Sequence, residues 1–196
     1  MHRLITRPWQ RRVASFVICA SVCVPMFISN AAFAQKKEHQ PTIGKLVVQT
    51  IPATLYLQGG FETDFQSMGE PAGRTLMELR EAAIENKVGL SGPVIHYYFN
   101  APHQDPGKRF KMQTGFYVPA ESPAVGAFVP RELPTFKCAT ILYVGPATRI
   151  GDAWQELYRS VRDQRLTPTD EERELYLYWE GVESPNNVVQ VQVGVK

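Results

Sequence analysis

The stretch of the sequence best suited to chemistry is E-R-E-L-Y-L-Y-W, residues 172–179. Glu174, Tyr176 and Tyr178 alternate there with other residues, so an extended strand would place one carboxylate and two phenols on the same face. A carboxylate that neighbouring rings partly remove from water has a raised pKa, and it can act as a general base or pair with a cation. The pattern indicates a ligand site or an acid–base centre, with an ordinary solvated strand face as the alternative.

A second alternating stretch follows and would complete a hairpin. Residues 188–195 read V-V-Q-V-Q-V-G-V, after the turn residues S-P-N-N at 184–187. We expect the leucines of the first strand and the valines of the second to lie on the apolar face, which a helix would cover. Gln190 and Gln192, with Gln113 of an earlier strand, would then point with the polar face and could orient a neutral polar ligand.

The elements that would hold this hairpin occur twice along the chain. Apolar residues spaced three and four apart predict two helices, and alternating runs predict the strands around them. Pro52 should kink the first strand, and Gly59-Gly60 should end it. In chain order we expect strand 43–58, helix 73–88, strands 92–100 and 109–118, a proline-bearing connector 119–134, strand 136–144, helix 149–165 and the closing hairpin.

This order predicts an α+β fold built from a duplicated β-α-β-β unit, with repeat one at 43–119 and repeat two at 134–196. An antiparallel sheet would carry both helices on one face and leave a central cleft between the repeats. The internal alignment pairs Ile95 with Leu175, Tyr98 with Tyr178 and Gln113 with Gln190. Tyr98 thereby becomes a candidate, since a rigid ring is a platform for a flat or cationic ligand, although cross-strand packing explains it equally well.

The histidines and cysteines give little further evidence of a catalytic or metal-binding site. His96 falls inside a predicted strand, where it could serve acid–base chemistry or be a hydrogen-bonded structural residue. Cys138 lies in an apolar run and is expected to be a buried, inert thiol. No group of Cys, His and Asp has metal-ligand spacing, so we expect no metal, and no phosphate loop or G-x-S-x-G motif is present.

The first residues predict an export signal instead of part of the fold. Residues 1–12 carry four arginines and no acid, residues 13–28 are mostly apolar, and Ala32-Phe33-Ala34 has the form of a cleavage site. We expect residues 1–34 to be removed, residues 35–42 to form a flexible mature N-terminus, and the protein to be periplasmic or secreted without stable membrane insertion. A retained membrane anchor is the alternative, but Pro25 interrupts the apolar run, which is short for a span.

Charge argues against a nucleic-acid partner. Lys and Arg number 21 against 19 Asp and Glu, and loss of the four arginines of the signal would leave 17 against 19, a net charge of about −2. No basic stripe is visible, and no helix-turn-helix has room before the first strand. A small-molecule ligand is therefore the expected partner, and the sequence leaves the oligomeric state open.

Together these motifs resemble the GyrI-like small-molecule-binding domain, the effector-binding domain of some AraC- and MerR-type regulators. The motifs that carry the resemblance are T-I-P-A-T-L-Y-L at 50–57, G-P-V-I-H-Y-Y-F at 92–99, L-Y-V-G-P at 142–146, E-L-Y at 156–158 and the closing E-L-Y-L-Y-W and V-Q-V-Q-V-G-V. The resemblance implies an aromatic cleft between the repeats in which a glutamate meets cationic, lipophilic ligands. Glu174 matches that glutamate, whereas Gln190 stands where many relatives have a second acid.

The resemblance leaves several functions open. The first is an exported, stand-alone protein that binds a lipophilic, possibly cationic organic ligand and has no cofactor. The second is a hydrolase, as in some stand-alone relatives, in which Glu174 activates water and Tyr98 or Tyr178 stabilises the oxyanion. The third is a haem-binding protein, because the SOUL family is similar in fold, with His96 or His103 as the available ligands. A lipid- or partner-binding surface protein, marked by a broad apolar patch, is the fourth.

Overall fold

The computed structural model describes residues 40–103 and 105–196. The predicted export segment 1–34 lies outside the described residues, as does most of the segment 35–42. The end of that segment takes part in the sheet, because Thr42 pairs with Val144 as the first residue of a strand. No helix of the described residues is long and apolar enough to span a bilayer.

The order of helices and strands follows the predicted duplication. One short strand lies within the predicted connector 119–134, and the first predicted strand is divided by bends. The elements are β1 (Thr42–Ile43), β2 (Val47–Ile51), β3 (Thr54–Thr63), α1 (Gly69–Glu85), β4 (Ser91–Phe99), β5 (Phe110–Val118), β6 (Arg131–Leu133), β7 (Phe136–Val144), α2 (Ile150–Asp163), β8 (Pro168–Tyr178) and β9 (Val188–Val195).

The sheet confirms the α+β prediction and the internal repeat. All strand pairs are antiparallel, and the strand order is β3-β5-β4-β8-β9-β7. The three main strands of the two repeats therefore follow the same order outward from the central β4–β8 pair. Ile95 lies directly opposite Leu175 at the central β4–β8 seam. These are the two residues that the internal alignment equates, so a pseudo-twofold axis passes between them.

Two bent strands close this sheet into a barrel. Ile51 of β2 lies opposite Phe136 of β7, and Thr54 of β3 lies opposite Leu133 of β6. Both pairs belong to one antiparallel register that continues across the bends at Pro52 and Pro134. Proline cannot donate to a ladder, and it therefore suits the point where each strand leaves one partner for the next. The predicted kink at Pro52 is this crossing point.

The helices cover the outer face of the barrel and leave a cleft between them. Helix α1 packs on β3 and β5, and α2 packs on β7 and β9, so β4 and β8 form the cleft floor. The prediction that Gly59-Gly60 ends the first strand is wrong, because β3 continues to Thr63. A Cβ on Gly59 would lie 2.3 Å from Thr75 Cγ2, so this glycine permits close helix–strand packing instead of making a turn.

The expected division of the closing hairpin into an apolar and a polar face is also wrong. Leu175 lies opposite Gln190, and Glu174 lies opposite Val191. The valines of β9 pack under α2 with Leu157, and they share that outer face with Glu174. Leu175 of β8 and Gln190 of β9 both point into the barrel. Alternation within each strand is correct, whereas the relative register of the two strands is the reverse of the expectation.

The barrel interior contains a buried arginine that pairs with a partly exposed glutamate. Arg173 is 1% exposed, its Nε donates to Glu171 Oε1 at 3.0 Å, and its guanidinium lies 3.9 Å from the centre of the Phe136 ring. A carboxylate and a ring face therefore compensate the buried charge. The Tyr56 hydroxyl donates to the Ile95 carbonyl at 3.0 Å. Buried side-chain oxygens without a hydrogen-bond partner are found here on Gln58, Gln113, Tyr117 and Gln192.

Candidate functional site

A buried carboxylate lies at the centre of the cleft floor. Glu174 is 3% exposed. Its Oε2 accepts hydrogen bonds from the Tyr98 hydroxyl at 2.9 Å and the Tyr176 hydroxyl at 2.7 Å, and its Oε1 accepts one from Trp154 Nε1 at 2.6 Å. All these donors are uncharged. They orient the carboxylate without neutralising it, and they use three of the roughly four acceptor positions that a carboxylate offers.

The environment controls the protonation of this cluster. Burial raises the pKa of Glu174, while the hydrogen bonds from Trp154, Tyr176 and Tyr98 and the nearby charge of His103 act in the opposite direction. Burial and the neighbouring Glu174 raise the pKa values of Tyr98 and Tyr176. The two phenols therefore keep their protons and act as hydrogen-bond donors.

His96 belongs to the same cluster as a neutral group. Burial lowers the pKa of its imidazole to about 3. Its Nδ1 lies 3.4 Å from the Tyr98 hydroxyl and 3.9 Å from Glu174 Oε2. The ring also packs against Tyr176, with centroids 4.7 Å apart. At physiological pH the imidazole therefore adds a polar contact and an aromatic surface to the site, but no positive charge.

A second buried carboxylate lies two residues away on the same strand face. Glu172 is 4% exposed and accepts a hydrogen bond from the Tyr158 hydroxyl. His103 Nε2 donates to both of its oxygens, at 2.9 Å and 2.8 Å. Trp154 connects the two centres, because its Nε1 binds Glu174 while its ring lies 5.3 Å from the His103 ring. The cleft floor thus holds two acids beneath a continuous aromatic wall.

Some sequence candidates lie together and others do not. Glu174, Tyr98, Tyr176 and His96 are brought into one cluster. Tyr178 lies apart: it is 52% exposed, and its hydroxyl donates to Glu180 at 2.8 Å. Gln113 and Gln190 point to the opposite face of the sheet, where they lie across from Tyr97 and Leu175. The register of the hairpin explains their position, because pairing Gln190 with Leu175 directs both side chains into the barrel.

Several residues of the site were not candidates in the sequence analysis. Trp154 lies on the apolar face of α2 and its ring is buried, but its indole N–H also binds Glu174. Glu172 lies within the sheet and not at a strand end, because β8 begins at Pro168. Phe65 precedes α1 and contacts Tyr98 with centroids 6.3 Å apart. The spacing of Trp154 and Tyr158, four apart on one helix, was the available signal for an aromatic wall.

The side chains of this site offer few ligands for a metal ion or a haem. No group of three or more His, Cys, Asp and Glu side chains could hold a metal ion in the part of the chain that the structure describes. His96 is buried beneath tyrosines, and His103 is engaged by Glu172. His96 is therefore not accessible from a groove, and the Nε2 atom that His103 would offer to a haem iron is bound to Glu172.

The fold is similar to that of several solved structures. The C-terminal domain of EcmrR aligns with a TM-score of 0.63 at 19% identity, covering 78% of this chain and 98% of that domain. EcmrR in its complex with DNA aligns with a TM-score of 0.64 at 14% identity, and the match spans only 57% of that chain. A hydrolase from Listeria innocua aligns with a TM-score of 0.56 at 12% identity, covering 81% and 93% of the two chains.

A ligand-bound structure is also similar. The SAV2435 protein bound to tetraphenylphosphonium aligns with a TM-score of 0.51 at 12% identity, covering 78% of this chain and 94% of that one. No curated protein sequence matches the chain. At these identities the structural likenesses establish the fold alone. The family follows from the sequence itself: the model of the GyrI-like small molecule binding domain matches residues 45–196, and the chain therefore belongs to the GyrI-like family.

Proposed function

We propose that the protein binds a lipophilic organic cation in the cleft above β4 and β8, with Glu174 as the counter-ion. The observation that carries the proposal is a buried carboxylate whose hydrogen-bond donors are all uncharged. An ionised group removed from water is costly unless an opposite charge compensates it. Within the described residues, the one basic side chain within 4.0 Å of Glu174 is His96, which is neutral at physiological pH.

The surrounding rings favour the same class of ligand. Tyr98, Tyr176, His96 and Trp154 line the carboxylate with aromatic surface, and a cation is attracted to the face of such rings. The cation class is also supported by the similar fold that binds tetraphenylphosphonium. A soft, poorly hydrated cation loses less on leaving water than a compact ammonium, so a lipophilic ligand suits a buried acid.

The test is the binding of methyltriphenylphosphonium, with neutral triphenylphosphine oxide as the matched control. We expect the phosphonium to raise the midpoint of thermal unfolding, since a ligand that binds only the folded state stabilises it by about 2.7 kcal/mol at a concentration of 100 Kd. Glu174→Gln should weaken binding at least tenfold. Glu180→Gln removes an exposed carboxylate that a tyrosine also contacts, and it should leave binding unchanged. Equal binding of the neutral compound would contradict the proposal.

The cluster around Tyr98 also favours a second candidate, hydrolysis. Its hydroxyl bridges Glu174 at 2.9 Å and His96 at 3.4 Å, and a carboxylate with a raised pKa beside a phenol can activate water while the phenol stabilises an oxyanion. Hydrolysis of p-nitrophenyl esters and small epoxides should then fall at least 100-fold in Tyr98→Phe, while that variant still binds the phosphonium. Full activity in Tyr98→Phe or in Glu174→Gln would exclude this mechanism.

We also propose that the domain acts outside the cytoplasm, since residues 1–34 have the three-part pattern of an export signal. Cell fractionation of the full chain, followed by N-terminal sequencing, tests the location. Exported protein should begin at Gln35. Full-length protein that remains in the cytoplasm would contradict the proposal without affecting the cleft.

A further inference from the structure

The His103 side chain occupies an aromatic cage that adjoins the Glu174 cluster and shares Trp154 with it. Its imidazole stacks on Phe65 with centroids 5.2 Å apart and planes at 26°. Trp154 lies on another side at 5.3 Å, and Tyr158 meets the ring nearly edge-on at 5.7 Å. Glu172 closes the cage, 2.8 Å from His103 Nε2. A flat ring with an N–H directed at a carboxylate thus sits between aromatic faces, which is the geometry by which proteins bind planar nitrogen cations.

The cage opens towards solvent on the side of the histidine. The His103 side chain is 29% exposed, whereas that of Glu172 is 5% exposed. A cavity of about 480 Å³ adjoins it, lined by Ala101, Pro102, His103, Asp105, Lys108 and Tyr158. His103 and Tyr158 therefore form both the inner wall of the cavity and the hydrogen-bonding partners of Glu172. Movement of the imidazole would connect the cavity directly to the buried carboxylate.

We propose that this cage is a second binding site, for a planar nitrogen cation such as an amidinium, and that the His103 side chain occupies it until such a ligand displaces it. An amidinium presents two parallel N–H donors, which fit both oxygens of Glu172 as the single Nε2–H does now. Its flat face would take the place of the imidazole between Phe65 and Trp154. The ligand must be cationic, because the displaced histidine leaves Glu172 with the neutral Tyr158 donor.

This site goes beyond the proposed function, because it depends on Glu172 and on displacement of His103, and it makes no use of Glu174 as a counter-ion. The two sites share Trp154, so a ligand that carries a lipophilic cation and an amidinium could occupy both. Glu172 and Glu174 are two residues apart along one strand, a distance of roughly 7 Å at about 3.3 Å per residue. That spacing sets the separation between the two charges of such a ligand.

The test uses benzamidine and its neutral isostere benzamide. His103→Ala removes the resident imidazole, and we expect it to bind benzamidine at least tenfold more tightly than the wild type, with no comparable gain for benzamide. Glu172→Gln added to His103→Ala should abolish the gain. An equal gain for both compounds would show that the substitution only leaves an unspecific cavity. A gain that persists without Glu172 would overturn the proposal as well.

A second measurement avoids any dependence on the folding of these variants. In the wild-type protein, nuclear magnetic resonance of the His103 ring should show its signals moving towards those of a solvated imidazole as benzamidine saturates. Benzamidine that binds while the His103 signals stay fixed would refute displacement. Methyltriphenylphosphonium binding separates the two proposals. It should persist in the His103→Ala/Glu172→Gln variant and be lost in Glu174→Gln alone, and this result would support the cleft site whatever benzamidine does.

Discussion

The two faces of strand β8 bury charge in different ways. On the inner face, Arg173 and Glu171 form an ion pair, and the guanidinium packs against Phe136. On the outer face, Glu172 and Glu174 are both buried, and His103 is the basic group that hydrogen-bonds one of them. The inner face is balanced within itself, as expected of a structural element. The outer face holds two acids and one engaged histidine, and the cation that we propose would be the partner of Glu174.

Removal of Arg173 tests the inner face and should have the largest effect on stability. Arg173→Ala leaves Glu171 without its partner and opens a gap in the barrel, so we expect the free energy of unfolding in urea to fall by about 3–5 kcal/mol. Phosphonium affinity of the folded fraction should change less than twofold. Arg162→Ala, at an exposed position of α2, is the control and should change neither quantity. Unchanged stability together with lost binding would reverse the assignment of the two faces.

Trp154→Phe sharpens the comparison on the outer face. The ring volume is largely kept while the indole donor to Glu174 is lost, and an unsatisfied buried acceptor costs about 1–3 kcal/mol. Because that hydrogen bond lowers the pKa of Glu174, its removal should raise the pKa further. Phosphonium binding should consequently require a higher pH than in the wild type. An unshifted pH profile would mean that the indole serves only as packing.

A smaller effect is expected on the pH dependence of the unfolding free energy, and its direction follows from the pKa of Glu174. Burial raises the pKa of Glu174 in the folded state, so the stability contributed by its protonated form is complete below the unfolded pKa and is lost as pH rises through the folded one. Glu174→Gln cannot ionise. We therefore expect the variant to gain stability relative to the wild type as the pH rises above the unfolded pKa of about 4.3, measured by urea unfolding without ligand. A constant difference would show that the ionised carboxylate is not strained.

The last prediction concerns the reactivity of Cys138 on the inner face. Its thiol is buried, and burial raises its pKa to about 11. Because the thiolate is the reactive form, labelling by a water-soluble maleimide should be at least 100-fold slower in the folded protein than in urea. Peptide mass spectrometry distinguishes Cys138 from Cys19 and Cys23. Rapid labelling of the folded protein would indicate that the barrel interior is open to solvent.

The sequence predicted the order of helices and strands better than it predicted which side chains share a face of the sheet. Alternation and helix periodicity identified the repeat, and the equivalence of Ile95 with Leu175 is the twofold contact itself. The pairing of Leu175 with Gln190 could not be read in the same way, because alternation defines the two faces of each strand but not which faces of two strands coincide. Tyr178 shows a related limit: it is the internal counterpart of Tyr98, but the strand ends there and leaves it exposed.

The residues of the site that sequence reasoning missed share a physical cause. Trp154, Tyr158, Phe65 and His103 come from a helix and two loops, and their approach to the β8 carboxylates depends on tertiary packing. A tryptophan on an apolar helix face has the same local pattern whether its indole N–H meets a carboxylate or water. The two repeats also differ on the cleft floor. Val94 of the first repeat occupies the position equivalent to Glu174, so the central acid comes from the second repeat alone.

The proline bends at 52 and 134 have a consequence for how the two repeats can come apart. Each repeat contributes the segment before its bend to the edge of the other, with β2 on β7 and β6 on β3. The repeats are therefore clasped by reciprocal exchange of strands, as two subunits of a domain-swapped dimer would be. A protease that cut the connector between β5 and β6 would leave two fragments still interlocked, and neither repeat alone would own a complete sheet edge.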